Sequence, residues 1–289
     1  MKKLLLIFSF TILCFNVCSA LYVARPNLSS PNDTTIVNRL LALPSLDRND
    51  FGHNTAIFAR ELIGSGTDDY YNTDSIASLR LNLSSFTPIS FINTVIALSR
   101  AYRSSTRPDW RDFTAEFQNI SCRRGEDSGF PSIMWHISDW TVDNIYRGNV
   151  KEITENFSGK IEKTKSLDYL TRHRDKFAAL EDSATYETVR MKEMGFRTHR
   201  LPLLKKETIN KKEILENLQD GDIIVLNPTE DGKDYLIIGI ISRVASTPTV
   251  IYFNPESGKI EEWTNSLGRL FQLKTKNFNG YRLLRPLYH

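Results

Sequence analysis

Thiols and imidazoles, the groups most able to do nucleophilic and acid–base chemistry at neutral pH, are few in this chain. Beyond the first twenty residues there is one cysteine, Cys122, and the five histidines are His53, His136, His173, His199 and His289. No two histidines stand four apart and none has a thiol neighbour, so no metal-ligand spacing is present and no cofactor is implied. A Cys122–His136 pair would supply a thiolate and a proton acceptor, but no spacing motif links the two. Ser90, in "FTPISFIN", offers a hydroxyl at the start of an apolar helix. Its plain reading there is a small polar residue in the first helical turn. Trp135, His136, Asp139, Trp140 and Asn144, with Arg123 upstream, have a different character. Indole rings stack on the apolar faces of sugars and a carboxylate accepts sugar hydroxyls, so such a set could hold a glycan without cutting it. The competing reading makes the tryptophans core aromatics and Asp139 a helix cap.

The elements that would position these residues follow from spacing. In "SFINTVIALSRAYRS", Phe91, Val95, Leu98 and Tyr102 recur at three- and four-residue steps, which predicts a buried helix. Shorter helices are expected in "TTIVNRLLAL", "RNDFGHNTAIFARELIGSG", "WTVDNIYRG" and "SLDYLTRHRDKFAALE". After residue 215 the runs "GDIIVLN", "DYLIIGIIS", "TPTVIYFN" and "GYRLLRP" are β-branched, apolar and separated by turn formers, as strands are. Helices first and strands later predicts a single α+β domain over 37–289. Its helical part, 37–214, would pack on an antiparallel sheet or partial barrel, 215–289.

The chain begins "MKK", continues with the apolar "LLLIFSFTILCFNV" and reaches "CSA". That is the pattern of a secretory signal peptide over 1–20, cleaved after Ala20, with 21–36 as a polar leader. An uncleaved anchor is the alternative. The residues before Cys18 make a poor lipobox. No other run is apolar and long enough to span a bilayer, and the mature chain, with Cys122 alone, forms no internal disulfide. The net charge of +3 falls to +1 once Lys2 and Lys3 leave with the signal. Nothing in that balance favours nucleic acid as a partner. Oligomeric state is not encoded in any motif.

The order of blocks carries a resemblance. A helix opening on "TPIS", then "LQDGDIIVLN", then "LIIGIIS" resembles the papain-like cysteine peptidases of the NlpC type. More closely, the chain resembles the bacterial N-acetylmuramoyl-L-alanine amidase-like family. "FARELIGSGTDDYY", "LNLSSFTPISFINTVIALSR", "CRRGEDSGFPSIMWHISDWTVDN", "DGDIIVLNPTEDGKDYLIIGIIS", "NPESGKI" and "GYRLLRP" fall in the family's order over roughly residues 40–286. The resemblance implies a secreted bacterial envelope protein, a cysteine nucleophile at the helix start, a histidine base on the second central strand and a peptidoglycan fragment as ligand. The family reads Phe-Asp-Cys-Thr-Thr-Phe-Val-Glu at the nucleophile. Here Thr87 stands for the Asp, Pro88 for the Cys and Asn93 for the Glu, while Ile237 takes the place of the His. Proline has no nucleophilic atom and no N–H to hold an oxyanion, and isoleucine accepts no proton. Asp139 and Trp140 match the family's Asp-Trp in the substrate groove. Trp135 and His136 stand where it has His and Tyr, Ile133 where it has Arg, and Arg123 and Gly125 are retained. The expectation is an inactive member that binds a muropeptide or peptidoglycan fragment, or a protein partner, through the inherited groove. Two alternatives stand beside it: a divergent active amidase or peptidase with an unrecognised nucleophile, and a structural envelope protein whose groove has filled.

Overall fold

Caps and apolar stripes set the helices. The computed structural model describes residues 27–28, 30, 32–67, 79–230, 232–244, 247–274 and 278–288, so the expected signal peptide, most of the expected leader and residues 68–78 lie outside the described residues. The helices are α1 (Asp33–Leu41), α2 (Phe51–Glu61), α3 (Pro88–Ser104), α4 (Trp110–Ser121), α5 (Ile137–Tyr146), α6 (Tyr169–Arg172), α7 (Ser183–Gly195), α8 (Lys212–Asn217) and α9 (Leu267–Lys274). Helix α3 begins with a reciprocal cap. Thr87 Oγ1 accepts from Ser90 N at 3.1 Å, and Ser90 Oγ accepts from Thr87 N at 2.8 Å. Pro88 sits in the first turn, where its missing N–H leaves no bond unmade. Asp109 and Asp112 cap α4 in the same reciprocal way.

The strands are β1 (Asn27–Leu28), β2 (Gly66–Thr67), β3 (Arg80–Leu81), β4 (Ser85–Phe86), β5 (Val150–Glu152), β6 (Lys160–Thr164), β7 (Arg200–Leu204), β8 (Ile223–Pro228), β9 (Ile237–Val244), β10 (Thr247–Asn254), β11 (Lys259–Trp263) and β12 (Phe278–Pro286). Apart from the small β1–β3 pair, they form one open sheet in the order β4-β2-β11-β10-β9-β8-β12-β7-β6, with β5 on β12. Every pairing in it is antiparallel except β2 with β4. This is the mixed helix-and-antiparallel-sheet architecture that the sequence predicts, open rather than closed into a barrel. Two details differ. Strands β5, β6 and β7, which extend the sheet past β12, and β2 and β4, which finish its other end, come from the stretch read as helical. The helix expected over residues 166–181 is broken into α6 and two 3-10 turns. His173 and Phe177 leave helical geometry, and Phe177 turns its ring onto Phe130 and Trp135.

Period-two alternation divides the core between the faces of the sheet. Ile223, Val225, Ile238, Ile240 and Ile251 pack with α3 residues Phe91, Ile92 and Val95. Ile224, Leu226, Ile237, Ile241, Val250 and Tyr252 form a second cluster with Leu270, Phe271 and Leu283.

Candidate functional site

A groove opens at the start of α3. Its smaller hollow, about 40 Å³, is lined by Thr87, Ile89, Ser90, Asn93, Ser121, Trp135 and Tyr235 among others. A larger one, about 190 Å³, is lined by Trp135, His136, Tyr169, Leu170, Lys233, Asp234 and Tyr235. Trp135 and Tyr235 belong to both and make the wall between them.

The α3 wall holds little that could attack a substrate. Pro88, where the resemblance puts the thiol, is half-buried at the first helical position. The Ser90 hydroxyl accepts from Thr87 N and donates to the Thr87 carbonyl at 3.2 Å, so both of its functions serve the cap. Asn93 accepts from the Trp140 indole at 2.8 Å. Ser121 Oγ is buried in the hollow's wall with no hydrogen-bond partner among the described residues.

Three sequence expectations are corrected by this geometry. Ile237, where the resemblance puts the histidine, is turned away from α3. Strand parity turns it into the second cluster, and the neighbour on α3's side is Ile238, which is equally unable to take a proton. Trp140 is fully buried, and its one polar atom is bonded to Asn93, so it offers no ring face to a ligand. Asn144 is fully buried too. Its amide donates to the carbonyls of Ile120 and Trp140, and its oxygen accepts from Arg147 and Asn149. Both are packing residues that hold α5 in place.

Arg123 and Asp139 do come together, but as partners of each other in a salt bridge. The Arg123–Gly125 turn that carries Arg123 is held by Asp143 of α5, which accepts from Arg124 N at 3.2 Å. Asp143 also accepts from Arg147 Nε at 2.7 Å. Cys122 closes α4 as a fully buried residue bridged to Ile133. Burial, reinforced by Asp127, pushes its thiol up to about 12, which leaves almost no thiolate at neutral pH. His136 is committed elsewhere: its Nε2 donates to Glu193 Oε1 at 2.9 Å. No hydrogen bond joins Cys122 and His136 among the described residues.

The opposite wall is backed by buried charges that carry no local sign in the sequence. Glu193, on α7, accepts from His136, from Leu170 N at 2.9 Å, from Thr171 N at 3.2 Å and from Thr171 Oγ1 at 2.5 Å. Burial alone would raise its carboxyl, but the bonds from His136, Thr171 and Leu170 outweigh that and hold it below its ordinary value. Asp234 accepts from Ser138 N at 2.7 Å, Ser138 Oγ at 2.5 Å and Lys165 Nζ at 3.1 Å. Burial works to raise this carboxyl as well. The Lys165 ammonium, His136 and the Ser138 bonds overcome it and hold the group below the usual carboxylate range. Trp135 is half-buried against Phe130, with ring centroids 4.7 Å apart, and its indole donates to the Phe130 carbonyl at 3.2 Å. Trp135, with Tyr169 and Tyr235, supplies the aromatic surface that Trp140 does not.

Among the described residues there is no group of three or more His, Cys, Asp or Glu side chains able to hold a metal, and no helix is long and apolar enough to cross a membrane.

A family model described as AmiA-like, N-acetylmuramoyl-L-alanine amidase-like, matches residues 59–262. No curated protein matches the chain. Among solved structures, an N-acetylmuramoyl-L-alanine amidase from Bacteroides uniformis superposes with a TM-score of 0.71 at 18% identity, covering 82% of this chain and 99% of that one. A Bacteroides fragilis protein described as a candidate xylanase gives 0.69 at 20% identity, over 79% and 99%. A Legionella pneumophila protein gives 0.67 at 12% identity, over 89% and 95%. At these identities the structures speak to fold alone.

Proposed function

The chain belongs to the N-acetylmuramoyl-L-alanine amidase-like family, and from that premise we propose that it is an exported, catalytically inactive member that binds a peptidoglycan fragment, or a protein partner, through the groove at the start of α3. The observation that carries the reading is the mismatch between the two walls. The α3 wall places Pro88 and a self-bonded Thr87–Ser90 cap where the family's thiol is expected. The groove is nevertheless open, and Trp135, Tyr169, Tyr235 and the unpartnered Ser121 hydroxyl line it. A buried hydroxyl without a partner is costly unless water or a ligand group satisfies it. An open, aromatic-walled groove also argues against the filled-groove alternative. Export rests on the signal-like residues 1–20, and an NlpC-type ancestry rests on the order of helix and strands.

One observation favours a second reading, that of a divergent hydrolase. His136, in the lining of the larger hollow, pairs with the buried Glu193 behind it as imidazole and carboxylate. The lone mature thiol, Cys122, is protonated and bridged to Ile133, which leaves that pair without a thiolate to activate.

The test is a muropeptide binding and turnover assay on the mature chain. Saturable binding without turnover is expected. Trp135→Ala should weaken binding about tenfold while the fold persists. Turnover that disappears in Cys122→Ala or Ser90→Ala would overturn the reading in favour of the hydrolase.

A further inference from the structure

A separate hollow of about 320 Å³, sharing no lining residue with the groove, is lined by Arg172, Arg190, Arg197, Thr171, Tyr186 and Met194, among others. Three guanidinium groups reach it from three segments: α6, α7 and the 3-10 turn Phe196–Thr198. Two carboxylates, Asp168 and Glu193, share the lining. Glu193 is already saturated by four donors, so it presents little acceptor capacity outward. Asp168 is paired through Oδ2 with Arg172 at 2.6 Å, while its Oδ1 is buried beside Gly232 without a hydrogen-bond partner among the described residues.

The remaining two arginines are poorly matched. Arg190 engages Glu187 through Nε and Nη2 at 2.8 Å, but its Nη1 points at the Met194 sulfur at 3.1 Å. A thioether is a weak acceptor for a guanidinium N–H. Arg197 has no hydrogen bond or ion pair among the described residues. A guanidinium presents five donors in a planar fork that suits two oxygens of one anion. Two such forks with unmatched donors, edging one hollow, form a receptor for an oxyanion.

We propose that this hollow binds a carboxylate- or phosphate-bearing ligand between Arg190 and Arg197, with Tyr186 and Met194 against its carbon skeleton. The Tyr186 ring is already covered on one side by the Arg174 guanidinium, 4.4 Å from its centroid, which fixes the ring in place. The ligand displaces the Met194 sulfur from Arg190 and gives Arg197 its first partner. The site is independent of groove binding, because no residue lining it lines either hollow of the groove.

The mature chain and the Arg190→Gln/Arg197→Gln variant are titrated by calorimetry at low ionic strength with two probes, inorganic phosphate and tricarballylate. Binding of either probe that weakens with added salt, and is about tenfold weaker or absent in the variant, is expected. The preferred probe assigns the source as phosphate or carboxylate. Both side chains lie at the surface, so thermal unfolding of the variant should match that of the parent, and its muropeptide binding should be unchanged. Equal affinity of parent and variant for both probes, or no binding by the parent, overturns the proposal while leaving the reading of the groove intact.

Discussion

At the start of α3, Thr87 and Ser90 satisfy one another within four residues of chain, whereas across the groove His136 meets Glu193 over 57 residues and Ser138 meets Asp234 over 96. The first wall is a local device. Any sequence with a Thr-Pro-x-Ser start to an apolar helix can make it, and it needs nothing from the rest of the fold. The second exists only when α5, α6, α7 and the β8–β9 turn are all in place. The capping groups of the first wall bond to each other and to their own backbone. On the second they are charged, buried and dependent on partners. The difference teaches where this protein keeps its constrained electrostatics: in the wall that shapes the cavity, not in the helix start that would hold an attacking group.

That contrast can be broken by mutation. The largest effect is expected for Asp234→Ala, which strands the Lys165 ammonium in the interior and leaves Ser138 N without an acceptor. Removing one partner of a buried pair costs about 3–5 kcal/mol. Urea unfolding reads it, and a loss of under about 1 kcal/mol would show that water reaches the pair and that the wall is not dry.

Glu193→Gln comes next and sharpens the comparison through pH. The Glu193 carboxyl is held below its unfolded value. Its contribution is therefore fully present above the unfolded value of about 4.3 and is lost as pH falls through the lower folded one. The parent should lose stability on acidification below about pH 4, and the variant should show a shallower loss there. At neutral pH the variant is expected to be less stable by about 1–3 kcal/mol, since a neutral amide replaces a carboxylate that accepts four bonds. Parallel acid profiles for parent and variant would remove Glu193 from the account.

The smallest effect belongs to the α3 wall. Thr87→Ala removes one half of the reciprocal cap, and about 1 kcal/mol of stability should go with it. Muropeptide affinity should stay as it was. A binding defect in Thr87→Ala would mean that the helix start does touch the ligand.

The parts of the fold legible in the sequence were those with strong periodicity. Helix α3 could be read from Phe91, Val95, Leu98 and Tyr102, and the central strands from their β-branched runs. Helix α4 was readable but overlooked, since Phe113, Phe117 and Ile120 recur on one face behind the Asp109 cap. Helix α7 gave no such stripe, because only Val189 and Glu193 of its thirteen residues are buried. The break between α6 and the following turns is tertiary in origin, driven by Phe177 reaching for Phe130 and Trp135. In the site, Trp135 and His136 were visible as residue types, but their roles came from partners far along the chain. Glu193 and Lys165 carried no local sign of burial. The face of Ile237 could have been assigned by counting parity from Gly239, which would have set Ile238 and Ile240 on the side of α3.

The two ends of the open sheet are finished differently. Strand β4 is only two residues long, while β6, "KIEKT", is longer, almost entirely exposed and bonded to β7 on one side alone. A strand left unpaired on one flank is a template for another chain, and a row of lysines and a glutamate is a standard deterrent, because docking a second strand would bring like charges together. Neutralising Lys160, Glu162 and Lys163 would leave the monomer's own contacts nearly untouched and yet remove its guard against self-association, so solubility at high concentration, rather than melting temperature, is the property this strand controls.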